Sequence, residues 1–382
     1  MNLIARDWET SRWIEIAIRD AFIEKATPIE DSAPAGRDDP FVAPAFWDVQ
    51  TNGRWGHSFS SPDITVDQVV SIVLAQRELG TARLCPTLVT APIDHMLHGL
   101  RTIASACDAR PDVARMVLGV HLEGPYLSDL PGYRGAHPPE AMHDPDWDEF
   151  QRLQEASGGR VILMTLAPER TGAIAFIDKA VKAGVTIALG HTAADGPTLR
   201  AAVDAGARLS THLGNGIVAE LPRHPNPIWR QAAEDRLWAS LIADGWHLDP
   251  DVLRVLTRAK GLDRVILVSD AGWLSGLPVG TYGEWAVDPS GKIVVAGTPY
   301  LAGSNQGLEI GLRNLDRAVP SFPSPLLGTV TSNPAALLGL PTPSIAAGEP
   351  ANLVVVRCPE PGGFKLERTC VDGAWTENPS HS

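Results

Sequence analysis

One glutamate, two histidines and one aspartate stand where apolar runs end: Glu123 in His121-Leu122-Glu123-Gly124-Pro125, His191 in Gly190-His191-Thr192, His212 in Thr211-His212-Leu213-Gly214-Asn215, and Asp270 in Ser269-Asp270-Ala271. The runs before them cover residues 116–120, 185–189, 207–210 and 265–268. Two imidazoles and one carboxylate form a ligand set for a Zn²⁺-type ion, with a further position left for water. Asp270, kept out of that set, is suited to take a proton from such a water and return it to a leaving group. A single histidine at a strand end is usually an ordinary packed residue. Three ligands on separate strands instead point to a metal-dependent hydrolase.

Eight strand candidates can position these residues: 46–50, 82–88, 116–122, 160–166, 185–189, 207–211, 238–243 and 265–269. Helical patterns alternate with them. Thr65 and Gln68 suit a capping box opening a helix over 65–78, with Gly80 beyond its end. Ile93, Met96, Leu97, Leu100, Ile103 and Ala104 share one helical face, and Pro197 and Gly206 bracket another helix. The alternation predicts an α/β fold: a (β/α)₈ TIM-type barrel over residues 43–342, with its site at the C-terminal ends of the strands. An open doubly wound sheet would gather its site at one crevice. The polar clusters fall on the first, third, fifth, sixth, seventh and eighth strands, which favours the closed barrel.

The chain ends read differently. Trp13-Ile14-Glu15-Ile16-Ala17-Ile18, Leu353-Val354-Val355-Val356 and the stretch from Cys370 to Trp375 are β-like. They predict a small β-sandwich built from both termini, 1–42 and 343–382, with residues 31–39 as a linker. Residues 285–287 and 292–295 flank Asp288-Pro289-Ser290-Gly291 as a hairpin before the last helix.

Among 382 residues, 44% are hydrophobic and 20% charged, ordinary for a globular enzyme. The net charge of −13 argues against a nucleic acid or an anionic membrane as partner. A small anionic substrate stays compatible, since a few cations in a pocket decide that locally. Cys85, Cys107, Cys358 and Cys370 form no Cys-x-x-Cys pair and read as reduced thiols. With no apolar stretch near Met1 and none long enough to span a bilayer, the expected location is the cytoplasm.

Gln50 and Asn52 end the first strand two residues apart and so face the same way. Neutral amides are poor Zn²⁺ ligands, so they line the site without holding a second ion. Ala167-Pro168-Glu169 after the fourth strand offers no bridging lysine. One metal per chain is expected. His121 is expected on the opposite strand face from Glu123, in a structural role.

With Arg134-Gly135-Ala136-His137 and Ala243-Asp244-Gly245-Trp246-His247 added, six ordered segments resemble those of the N-acetylglucosamine-6-phosphate deacetylase family of the amidohydrolase superfamily, over residues 42–356. The resemblance implies that Glu123, His191 and His212 hold the metal and Asp270 is the acid/base. It implies that His137 orients or polarises an acetamido carbonyl. His247, Asn215 and Gly216 would meet the sugar phosphate, and Arg223 would reach it from the second subunit of a homodimer. Gln50 and Asn52 resemble the single-metal branch. The implied reaction turns N-acetylglucosamine 6-phosphate into glucosamine 6-phosphate and acetate. Another N-acyl sugar, such as N-acetylgalactosamine 6-phosphate or an unphosphorylated one, is the alternative, as is an N-acyl amino acid or cyclic amide. The ligand set accepts Zn²⁺ foremost, and also Fe²⁺ and others.

Overall fold

The computed structural model describes residues 2–30 and 34–377. Strands β1 (Asn2–Asp7), β2 (Trp13–Arg19), β3 (Phe22–Pro28) and β4 (Phe41–Pro44) come first. The first barrel strand, β5 (Phe46–Thr51), is followed by the short pair β6 (Gly53–Arg54) and β7 (His57–Ser58). The other barrel strands are β8 (Thr81–Val89), β9 (Val120–Glu123), β10 (Val161–Leu166), β11 (Thr186–Leu189), β12 (Leu209–Ser210), β13 (Trp238–Leu241) and β14 (Val265–Leu267). Among the described residues these make one eight-stranded parallel sheet in the order β14-β13-β12-β11-β10-β9-β8-β5.

The seam between β5 and β14 is made in two halves. At the C-terminal end the backbones meet directly: Asp270 N–H donates to Gln50 O and Asn52 N–H to Ala271 O, both at 2.9 Å. Lower down, Thr329 and Val330 wedge between the strands, accepting from Leu267 N–H (3.1 Å) and Trp47 N–H (2.8 Å). Buried Asp48 sits at the same seam and accepts from Ser269 N–H at 3.2 Å. The barrel is therefore closed next to Asp270.

Helices cover the barrel where the spacing placed them. Thr65 and Gln68 form the reciprocal capping box of the helix Val66–Ala75. The helices Ile93–Ala109 and Gly196–Asp204 bury the expected apolar faces. One element differs from expectation: within 116–122 only residues 120–122 are strand, β9 running on to Glu123, because the buried apolar Val113 and Met116 belong to the helix Pro111–Met116, which Pro111 opens.

After β14, strands β15 (Gly280–Tyr282), β16 (Trp285–Val287) and β17 (Ile293–Val295) form an antiparallel meander containing the expected hairpin. Strands β18 (Leu353–Arg357), β19 (Lys365–Val371) and β20 (Ala374–Glu377) then join the N-terminal strands in a seven-stranded sheet, β20-β19-β18-β4-β1-β2-β3. Alternation divides its faces: Leu353 and Val355 pack with Leu3, Ile14 and Ile16, while Val354 and Val356 join the barrel's core. The sheet curls so that Ile23 N–H donates to Glu349 O and Ala351 N–H to Ala21 O, which gives the layer its sandwich-like section. Residues 31–33 of the expected linker lie outside the described residues, as does His381. All four cysteines are free and buried, and no described helix is long and apolar enough to cross a membrane.

Candidate active site

Glu123 ends β9, His191 lies two residues beyond β11, and His212 two residues beyond β12. Glu123 Oε1 lies 3.2 Å from His191 Nε2 and 2.9 Å from His212 Nε2. All three residues are buried, with their potential ligand atoms within 4.8 Å of one another. His191 (φ +49°), His212 (φ +31°) and Asp270 (φ +46°) all hold left-handed backbone. Such backbone is uncommon outside glycine and clusters at functional sites.

The donor chemistry fits a divalent metal. His191 Nδ1 lies 2.9 Å from Tyr133 O; a carbonyl only accepts, so Nδ1 carries the hydrogen and Nε2 is the atom a metal would take. His212 Nδ1 is buried without a hydrogen-bond partner, while its Nε2 faces Glu123. Burial alone would raise the Glu123 pKa, but hydrogen bonds with His191 and His212 outweigh it and hold the carboxyl well below its ordinary range. Burial pulls His212 down, yet the hydrogen bond to Glu123 and its charge bring it above the usual value.

Asp270 stands apart from this trio. Its Oδ1 accepts from Gln50 Nε2 at 3.1 Å and from Asn52 Nδ2 at 2.8 Å. Both amides thus orient the aspartate. Burial first, then the Glu123 charge, push Asp270 up to about 6. A carboxyl so placed exchanges a proton near neutral pH, as a general base and acid must.

His137 comes in from the loop after β9, its ring centroid 4.5 Å from that of His191. Burial, then the neighbouring His191, lower it to about 3. His247 Nδ1 is 2.7 Å from Asp244 Oδ2, which also accepts from Ser304 Oγ at 2.9 Å. Asn215 bonds back to His212 O through its amide. At Gly216 (φ +61°) a Cβ would stand 2.7 Å from His191 Nδ1, so only glycine lets the loop close on that ligand. Arg223 is exposed, without an ion-pair partner among the described residues. After it, Asn226 caps the helix Pro227–Ala232 and Trp229 stays 48% exposed. Trp273 packs edge-on to Trp285 beneath the meander.

The expected orientation of His121 is corrected. Residues two apart on a strand share a face, so His121 enters the barrel beside Glu123, and Leu122 faces the outer core. His121 Nε2 lies 2.8 Å from Thr165 Oγ1, itself 2.8 Å from Thr211 Oγ1, in a buried polar chain among strands. Burial lowers His121 to about 4 and keeps it neutral there.

Sequence reasoning passed over two supports. Glu169 accepts from Thr192 Oγ1 (2.5 Å) and Ala193 N–H (2.6 Å), clamping the turn that carries His191. Thr90 Oγ1 donates to Glu123 O at 3.2 Å and lies 3.0 Å from His137 Nδ1. We expect Glu169→Ala to weaken divalent-metal affinity about 10- to 100-fold, the usual consequence of releasing a ligand's support, as measured by competition with a chromogenic chelator.

The amidohydrolase family profile matches residues 41–363. The chain is 37% identical to human N-acetylglucosamine-6-phosphate deacetylase over 78% of this chain and 75% of that one. It is 32% identical to N-acetylgalactosamine-6-phosphate deacetylase of Escherichia coli O157:H7, over 85% of each. The crystal structure of N-acetyl-D-glucosamine-6-phosphate deacetylase from Mycobacterium smegmatis superposes with a TM-score of 0.85 at 33% identity, covering 98% of this chain and all of that one. With the buried Glu123–His191–His212 set at the barrel's strand ends, these relationships make the chain a member of the amidohydrolase family and, within it, of the N-acetylglucosamine-6-phosphate deacetylase family.

Proposed function

We propose that this chain removes the acetyl group of an N-acetyl amino sugar 6-phosphate, N-acetylglucosamine 6-phosphate foremost, giving glucosamine 6-phosphate and acetate. The observation that carries the reading is the separation of duties in the pocket: a buried His₂Glu set, and beside it an aspartate tied to neutral amides. An M. smegmatis relative 34% identical, in an aspartate-to-alanine form, has been crystallised in complex with N-acetyl-D-glucosamine-6-phosphate, which supports this choice of substrate.

Glu123, His191 and His212 would hold one divalent ion, Zn²⁺ first and Fe²⁺ as the alternative. Such an ion supplies a Lewis acid and brings the pKa of a water it binds to about 7. Asp270 takes a proton from the attacking water and delivers it to the amide nitrogen as the C–N bond breaks. Gln50 and Asn52 keep the carboxylate aimed while this happens, and since their amides are engaged there, a single metal follows. His137 orients the acetamido group. His247, held by Asp244, faces the sugar phosphate with Asn215 and Gly216.

Arg223 reaches a partner subunit's phosphate in a homodimer; its exposure and lack of an ion-pair partner support that role. The division of the chain into a barrel over 43–342 and a β domain from 1–42 and 343–382 belongs to the same reading, with β4 the strand at which one passes into the other. The buried, unpaired cysteines suit a cytoplasmic enzyme.

Acetate release across N-acetyl sugars with and without a 6-phosphate tests the substrate. We expect N-acetylglucosamine 6-phosphate to give the highest kcat/KM, ahead of the galacto isomer. Arg223→Ala and His247→Ala should each raise KM for the phosphorylated sugar at least about tenfold, equivalent to losing a charge-assisted hydrogen bond of about 1.5 kcal/mol or more. Unchanged KM in both variants would remove phosphate recognition from these residues.

A further inference from the structure

A cavity of about 210 Å³ stands at the C-terminal rim of the barrel, in the loops after β5 and β14, lined by Gly56, Ser58, Ser60, Ser61 and Trp273. None of these residues is charged, and three carry hydroxyls. Its walls are tied to the candidate site from both sides. Gly56 N–H donates to Trp273 O at 2.8 Å, and Phe59 N–H to Asn52 O at 3.1 Å. Ser60 Oγ donates to Val89 O at 3.0 Å, one residue before Thr90, which lies against Glu123. Trp273 follows Asp270 by three residues and meets Trp285 edge-on, in a cluster that Ala136, next to His137, also joins. Two polar groups here are not committed within the chain. Asn52 Nδ2 donates to Asp270, which leaves the buried Asn52 Oδ1 without a hydrogen-bond partner. Ser58 Oγ accepts from Ser60 N–H at 3.2 Å, and its own hydrogen has no protein acceptor among the described residues.

On the proposed reading, the sugar phosphate lies by Asn215, Gly216 and His247, in the loops after β12 and β13. The scissile amide then lies at Glu123, His191, His212 and Asp270. A trans amide sends its acyl chain away from the sugar, and so toward the loop after β5. We propose that this cavity is the acyl side of the substrate site, and that it takes an N-acyl group longer than acetyl and bearing a hydroxyl. Such a hydroxyl matches both uncommitted groups: it donates to Asn52 Oδ1 or accepts from Ser58, while its aliphatic stem lies on the Trp273 indole. The cavity has the volume of about seven waters at about 30 Å³ each, more than an acetyl methyl fills. The step remains a hydrolysis. The water oxygen joins the acyl carbon, the C–N bond breaks, and the nitrogen takes a proton by way of Asp270. The products are the amino sugar 6-phosphate and a hydroxy acid. The inference rests on the deacetylase reading and adds to it the identity of the acyl group.

The test is release of glucosamine 6-phosphate from its N-acetyl, N-butanoyl, N-(3-hydroxypropanoyl), N-pentanoyl and N-(4-hydroxybutanoyl) derivatives by Zn²⁺-loaded wild type, Ser58→Ala and Trp273→Ala. Each hydroxyacyl group matches in size the methyl-ended group named before it. Wild type should cleave at least one hydroxyacyl substrate with kcat/KM within about tenfold of the N-acetyl one and about fivefold above its methyl-ended match, the yield of one neutral hydrogen bond. Ser58→Ala should narrow that preference, and Trp273→Ala should lower the hydroxyacyl-to-acetyl ratio at equal metal content. Hydroxyacyl substrates cleaved more than about 100-fold worse than N-acetyl overturn the proposal, as does equal turnover within both size-matched pairs. Wild type decides these outcomes by itself, whatever the folding of the variants. If no derivative is cleaved, acetyl included, the deacetylase reading is what fails, and the proposal falls with it.

Discussion

Replacing Asp270 with Asn should leave the bound metal in place and lower kcat by about 10²- to 10⁴-fold, the span assigned to a positioned general acid or base. The substitution keeps the shape of the side chain and removes only its ability to take up and release a proton. The Gln50 and Asn52 amides, at 3.1 and 2.8 Å, still find an oxygen to bond. Metal content by elemental analysis and acetate release then give a split result: one ion per chain, little turnover. The pH profile adds a second reading. Burial, then the Glu123 charge, raise Asp270 to about 6, and the active base is its ionised form, so kcat/KM should climb with pH as Asp270 ionises. A cation bound nearby draws that limb to lower pH, and in Asp270→Asn the limb disappears. An Asp270→Asn enzyme with wild-type kcat would take the aspartate out of the chemistry.

Glu123→Gln attacks the other half of the site. The carboxylate oxygen on which both imidazoles converge becomes an amide, a poor partner for a hard or borderline cation. Metal per chain should fall from one to near zero. Lewis-acid stabilisation worth several kcal/mol goes with it, which at about 1.4 kcal/mol per decade is on the order of 10³-fold or more in rate. Stability gives an independent check. Metal at about 1,000 times its dissociation constant adds about 4 kcal/mol to the native state, so a chelator should lower the Tm of wild type and leave that of Glu123→Gln unchanged. A variant that keeps one ion and its turnover would show that Glu123 is no ligand.

How much of this the sequence revealed depended on the range of the interaction. Strand ends were legible because an apolar run meeting a polar residue is a local signal, and Glu123, His191, His212 and Asp270 all sit on such junctions. The capping box at Thr65 was legible for the same reason. The run around Met116 misled because a buried helix and a buried strand both read as apolar, and the proline at 111 marked the helix. His121 was misplaced by overlooking the two-residue alternation that puts it beside Glu123. Thr90, Tyr133 and Glu169 carried no local signal. Their contacts bridge 33, 58 and 23 residues of chain, distances at which only the closed barrel brings the partners together. The seam wedge of Thr329 and Val330 is likewise a product of closure, since it fills a gap that exists only once β5 and β14 stand side by side.

That seam ties the barrel's closure to the candidate site. Seven of its eight joints are strand ladders, whereas the joint between first and last strands depends on the amides of Asp270 and Asn52 above and a borrowed loop below. Asp270, the proposed acid/base, is therefore also a latch of the barrel. Parting the seam would pull Asp270 from Gln50 and Asn52 at once, so the residues that close the barrel are also those that aim the proposed base.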